Sequence, residues 1–104
     1  MAAERVCAVG DLAPGEARRF DVGGHRIAVV RVGDDWYAIG DRCSHQDVSL
    51  AEGEVHGESL ELECFKHGSC FSLTTGVPSS LPATKAVPTY SVSVIGDDVV
   101  LEVS

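Results

Sequence analysis

Short β-branched segments recur along this chain between Gly, Asp and Pro, and hardly any stretch repeats with a helical period. Segments of that kind bury an apolar face only by pairing with neighbours, which predicts an all-β domain, an antiparallel β-sandwich or barrel. The expected strands are residues 5–9, 17–22, 26–32, 36–39, 60–64, 71–73, 86–95 and 99–103. Gly23-Gly24, Gly33-Asp34-Asp35 and Gly96-Asp97-Asp98 supply turn residues that tolerate positive φ, so successive strands join as hairpins. In the last hairpin Val92 and Val94 alternate with Ser91 and Ser93, while Val99, Leu101 and Val103 share a parity, giving each strand one apolar face.

A chain of 104 residues has room for one domain around one continuous core. Sixteen acidic against eight basic residues give a formal charge of −8, the wrong sign for a phosphate backbone or an anionic membrane surface. No nucleic acid and no membrane is therefore expected as a partner. Acidity suits steering toward a basic patch on another protein, and serves solubility equally well. No apolar run of signal-peptide length follows the N-terminus, and no stretch approaches the ~20 apolar residues of a membrane span; a cytoplasmic protein is the expectation. In that reducing compartment the four cysteines read as thiols or metal ligands rather than as two disulfides.

Residues 41–82 differ from the rest, being rich in Cys, His, Ser, Gly and Pro, and only 60–64 alternates cleanly. The expected organisation is a site-bearing subdomain of about residues 41–82 inserted into a base sandwich of about 1–40 and 83–104. Leu60, Leu62 and Cys64 share one side of their segment and Glu61 and Glu63 the other, which turns the Cys64 thiol inward at a strand end. Cys43-Ser44-His45 and Cys64-Phe65-Lys66-His67 form two short Cys/His pairs, separated by the 18 residues from Gln46 to Glu63. Thiolate is a soft donor that stabilises ferric iron, and neutral imidazole removes negative charge, so the mixed set suits an iron-sulfur centre of raised potential. The same residue types also make a tetrahedral Cys2His2 zinc site. A zinc finger would want a helix carrying closely spaced histidines, whereas both pairs here put Cys first and lie among strands.

On these residues the chain resembles the Rieske family, whose signature is Cys-x-His, a gap of similar length and Cys-x-x-His, commonly followed by Gly and later by a Pro-containing loop. His67-Gly68-Ser69 matches the residues after the second pair, and Val77-Pro78-Ser79-Ser80-Leu81-Pro82-Ala83 resembles the loop that covers the cluster. The resemblance runs from about Arg5 to Val103. It implies the Rieske (ISP-like) fold with its inserted cluster-binding subdomain, and one 2Fe-2S cluster as cofactor. By the same resemblance Cys43 and Cys64 hold one iron, and His45 and His67 hold the other through Nδ1, leaving their far ring edges as the exit for electrons. Gly68 turns the backbone and brings an N–H toward a sulfide, Ser69 is available as a hydroxyl donor, and Pro78 and Pro82 stiffen a lid that excludes water. With every iron position filled, no site is left for substrate, so the chain is expected to be an electron carrier and not an enzyme.

Within the family the resemblance is to ferredoxin components of multicomponent oxygenases, which implies a flavoprotein reductase and a terminal aromatic-ring oxygenase as partners and a monomeric carrier between them. A second reading keeps the cluster and makes the chain an accessory of iron-sulfur cluster assembly. Val48 and Lys66 stand where high-potential members of the family carry an additional disulfide, and Phe71 where they carry a Tyr hydroxyl. Fewer bonds to sulfur place the expected potential near the low end of the Rieske range, about −150 mV. Cys7 is expected in the core of the first strand and Cys70 beneath the cluster loop, His25 and His56 in solvated turns beside Gly, and Trp36 in the core.

Overall fold

The computed structural model describes residues 2–42, 48–66, 68–79 and 85–103. Cys43, His45, His67 and Pro82 lie outside the described residues. Nine strands are present among the described residues: β1 (Ala2–Ala8), β2 (Ala17–Val22), β3 (His25–Val32), β4 (Asp35–Gly40), β5 (Val55–His56), β6 (Glu61–Glu63), β7 (Cys70–Ser72), β8 (Thr89–Ile95) and β9 (Asp98–Val103). Single 3-10 turns occupy Val9–Asp11 and Leu50–Glu52. The class is all-β and antiparallel throughout, as the punctuation of the sequence predicts.

One sheet runs in the order β1-β9-β8-β4-β3-β2, and a second, smaller one in the order β5-β6-β7. The hairpins β2–β3, β3–β4 and β8–β9 turn on Gly23-Gly24, Gly33 and Gly96, all at positive φ, which matches the expected turns. The large sheet curls until its two edge strands, β1 and β2, approach each other. Cys7, Leu12, Val22, Ile27, Val29, Ala38, Val99 and Leu101 fill the inside of that curl.

β3 explains how the two sheets are joined. Its central residues Ile27, Ala28, Val29 and Val30 are all fully buried. Alternate side chains of a strand point to opposite faces, so Ile27 and Val29 enter the curl while Ala28 and Val30 face the small sheet. An unbroken apolar run is what a strand covered on both faces requires. On the outer side, Ala28, Val30 and Ile39 pack against Leu50, Leu62, Cys64, Phe71, Leu73 and Val87.

Several boundaries differ from the sequence reading, each for a local reason. The segment expected at 60–64 begins at Glu61 because Leu60 takes φ +55, outside the extended region, while its side chain packs on the core. The last long strand begins at Thr89 rather than at residue 86, since Pro88 has no N–H to enter a ladder. Its carbonyl is used instead, accepting the Gly40 N–H at 2.8 Å. β7 starts at Cys70, one residue early, and β5 was not foreseen at all because two residues carry no legible period. Val94 is 42% exposed, so the apolar face expected for β8 does not extend to the hairpin tip.

The cysteines, histidines and tryptophan outside the two Cys/His pairs are placed as follows. His25 opens β3 and meets Tyr90 edge-on, with ring centroids 5.7 Å apart, rather than sitting in a solvated turn. His56 lies on β5 and Cys70 on β7, both half-buried on the outer face of the small sheet. Cys7 is a buried core residue as expected, and Trp36 packs against the same core beneath the Arg31 guanidinium.

Candidate cluster site

Of the four residues expected to hold the metal centre, the described structure contains Cys64. Cys64 follows directly on β6 and is fully buried among Leu62, Phe71 and Leu50, as the parity of Leu62 and Cys64 predicts. The residues after it close on themselves: the Gly68 N–H donates to the Cys64 carbonyl at 2.9 Å, and the Cys64 N–H donates to the Ser69 carbonyl at 2.7 Å. Gly68 sits at φ +75, a conformation that penalises any residue with a Cβ. Its N–H closes this turn. Ser69 is fully buried, so a hydroxyl is carried into the interior at the foot of the loop.

The first pair, Cys43 and His45, lies outside the described residues, but both sides of its loop are described and they are pinned together. Arg42 and Ser49 form an isolated bridge that closes the loop. Beneath it Asp41, fully buried, acts as the anchor: its carboxylate accepts the Ser49 hydroxyl at 2.7 Å and the Ala51 N–H at 2.9 Å. The Asp41 carbonyl accepts the Leu50 N–H at 2.6 Å, and its N–H donates to the Arg26 carbonyl at 3.0 Å. Arg26 Nη2 and Arg19 Nε stand 3.7 and 3.9 Å from the same carboxylate. A buried carboxylate is tolerated because cations and hydrogen-bond donors surround it.

The two loops stem from adjoining ground. Leu50, at the exit of the first, shares a core with Cys64 at the entry to the second. Gly53 lets the chain pass flush against β6, for a Cβ there would overlap the Glu63 carbonyl oxygen. The Glu63 N–H in turn donates to the Glu54 carbonyl at 2.9 Å. The segment expected to cover the site is tied down at its start: Phe71 and Pro78 form a bridge, the Ser79 N–H donates to the Cys70 carbonyl at 2.8 Å, and the Ser79 hydroxyl donates to the Glu61 carboxylate. Gly76 begins this segment at φ +76, where a Cβ would also overlap the Val87 carbonyl oxygen.

Asp41, Gly53 and Gly76 were not singled out in the sequence. Asp41 carries a weak signal there, an acid two residues before Cys43 at the start of the first Cys/His pair; the two glycines carry none, since a close backbone approach leaves no mark on composition. The described residues fit an iron-sulfur group by donor chemistry. They supply a buried soft sulfur at the end of a rigid strand and a tight turn behind it, beside a second loop pinned at its base.

Comparison with known proteins agrees. Residues 3–91 match the family described as the Rieske [2Fe-2S] domain. The ferredoxin component of biphenyl 2,3-dioxygenase from Rhodococcus jostii (strain RHA1) is 40% identical over 102 residues, covering 98% of this chain and 94% of that protein. The ferredoxin of carbazole 1,9a-dioxygenase from Nocardioides aromaticivorans IC177 superposes with a TM-score of 0.93 at 40% identity, over 97% of each chain. A ferredoxin solved in complex with the reduced oxygenase of carbazole 1,9a-dioxygenase superposes at 0.87, with 40% identity, over 95% of this chain and 100% of that one. This chain therefore belongs to the Rieske [2Fe-2S] domain family, and the cofactor that goes with that membership is one Rieske-type 2Fe-2S cluster.

Proposed function

We propose that this chain is the ferredoxin component of a multicomponent oxygenase, a one-electron carrier that is reduced by a flavoprotein reductase and oxidised by a terminal oxygenase acting on an aromatic ring. The observation that carries the proposal is the 40% identity to a dioxygenase ferredoxin across 98% of this chain. The likeness to a ferredoxin solved together with its oxygenase supports the choice of partner. The protein works as a monomer in the cytoplasm.

In this reading Cys43 and Cys64 hold one iron and His45 and His67 the other, on a cluster-binding subdomain of residues 41–82 set on a base of 1–40 and 83–104. The bound cluster supplies a single reversible electron. The protein's own residues hold the site still. Support for that role comes from the buried position of Cys64, the closed turn from Cys64 to Ser69 and the Asp41 anchor. Ser69 offers its buried hydroxyl toward a ligand sulfur, Phe71 offers none, and the potential stays low in the Rieske range. Pro82 stiffens the lid. Phe65, next to Cys64 and 51% exposed, and Val77, 52% exposed, give the partner an apolar contact beside the loops.

Reconstitution with a purified flavoprotein reductase and the biphenyl-type terminal oxygenase tests the reading: NADH-driven hydroxylation should depend on adding this protein. Reduction of the cluster without any hydroxylation would overturn the assigned partner. Cys43→Ala should abolish the visible and EPR signature of the cluster, and retention of normal spectra would refute the ligand set. Colourless protein with stoichiometric zinc would favour the tetrahedral zinc site instead.

A further inference from the structure

The outer face of the small sheet carries a donor set that the cluster does not use. Side chains of alternate parity point away from the core here: Val55, Leu62 and Phe71 face inward, which leaves His56, Glu63 and Cys70 outward on three adjacent strands. Glu63 stands directly opposite Cys70 in the β6–β7 register, and His56 reaches Glu63 diagonally from β5. His56 Nε2 lies 2.8 Å from Glu63 Oε1, and Cys70 Sγ lies 3.9 Å from the same oxygen. One ligand atom from each of the three residues falls within 4.8 Å of the other two. A second carboxylate is at hand, with Glu54 Oε2 3.8 Å from His56 Nε2.

The geometry points to a second metal site, in which His56, Glu63 and Cys70, with Glu54 or a water as fourth donor, bind a borderline-soft divalent cation of the Zn2+ class. The donor set is the argument for the class. One imidazole, one thiolate and carboxylate oxygen is a zinc-type combination, whereas Mg2+ and Ca2+ take oxygen alone. Tetrahedral Zn2+ at its usual bond lengths holds N, O and S donors roughly 3.3–3.6 Å apart. The Cys70–Glu63 separation of 3.9 Å needs a slight closing and the His56–Glu63 separation of 2.8 Å a slight opening, both within the reach of side-chain rotation on half-buried residues. The three ligands come from three strands, so a bound cation would clamp β5, β6 and β7 across their hydrogen-bonding direction. β6 is the strand that leads into Cys64, yet the site stands independently of which residues hold the cluster.

The test uses the iron-loaded protein and Zn2+ itself. Calorimetric titration should show one zinc bound per chain while iron content and the visible spectrum stay constant. His56→Gln and Cys70→Ser should each weaken that binding by about tenfold or more with the cluster spectrum and far-UV circular dichroism unchanged. In the wild-type protein, zinc should slow iodoacetamide alkylation of Cys70, read by peptide mass mapping, a measurement that does not depend on either variant folding. Absence of a binding heat, wild-type zinc affinity in either variant, an unchanged alkylation rate at Cys70, or release of iron as zinc enters would each overturn the proposal.

Discussion

In the proposed reading, single residues set the redox chemistry through the hydrogen bonds they offer to the cluster. Ser69 is the candidate donor, a polar side chain fully buried at the foot of the Cys64 loop. Donation to a cluster sulfur favours the reduced form, which carries the extra negative charge. Ser69→Ala should therefore lower the midpoint potential by about 20–65 mV, the one-electron equivalent of a bond worth roughly 0.5–1.5 kcal/mol. Redox titration of the two proteins checks this, and an unchanged or raised potential in the variant would exclude Ser69 as a donor.

Elements act by fixing Cys64 and the feet of the two loops. β6 is held from outside by the passage of Gly53 along its backbone, so Gly53→Ala must push Glu63 and with it the neighbouring Cys64. The expected result is a loss of about 2–4 kcal/mol in stability together with partial cluster occupancy, measured by thermal unfolding and by iron per chain. Full occupancy with unchanged stability would show that the two segments separate at no cost. The segment around Pro78 and Ser79 is tied to the same strand by the Ser79 hydroxyl, whose hydrogen bond, together with that of Ser59, holds the Glu61 carboxyl below its ordinary pKa. A depressed folded-state value means that the tether contributes fully above the unfolded pKa and is lost as pH falls through the lower folded one. The melting temperature of the wild type should thus exceed that of Glu61→Gln at neutral pH, with the gap closing in acid. A gap that stays constant as pH falls well below the carboxylate range would show that the difference does not come from the ionised Glu61 carboxylate.

At the scale of the whole molecule the relevant quantities are the double-faced sheet and the net charge. β3 is covered on both faces, by the inside of the curl and by the small sheet, so the core of the large sheet is continuous with the packing around Cys64. The formal charge of −8 gives an electrostatic field suited to a basic partner surface, and long-range steering is screened within about 10 Å at 0.1 M salt. The second-order rate of cluster oxidation by the terminal oxygenase should fall as ionic strength rises, as stopped-flow mixing across a salt series would measure. A flat profile would assign docking to apolar contacts such as Phe65 and leave the acidity to solubility.

Much of this was legible without coordinates. Turn residues that tolerate positive φ at Gly23-Gly24, Gly33 and Gly96 marked the hairpins, and the alternation of Leu62 and Cys64 with Glu61 and Glu63 turned the thiol inward. Both are local properties, set by the sterics of one turn or the pleat of one strand, so the chain carries them wherever it folds. What only the folded molecule decided involves residues distant in sequence. Asp41 became an anchor by meeting Ser49, Ala51, Arg19 and Arg26, and Gly53 became indispensable by lying against Glu63. His56, read as a solvated turn residue, joined Glu63 and Cys70 because three short strands set them side by side. Side-chain type announces what a residue is able to do, while its neighbours are chosen by strand register and by close approach of backbones, and those exist only once the sheets have formed.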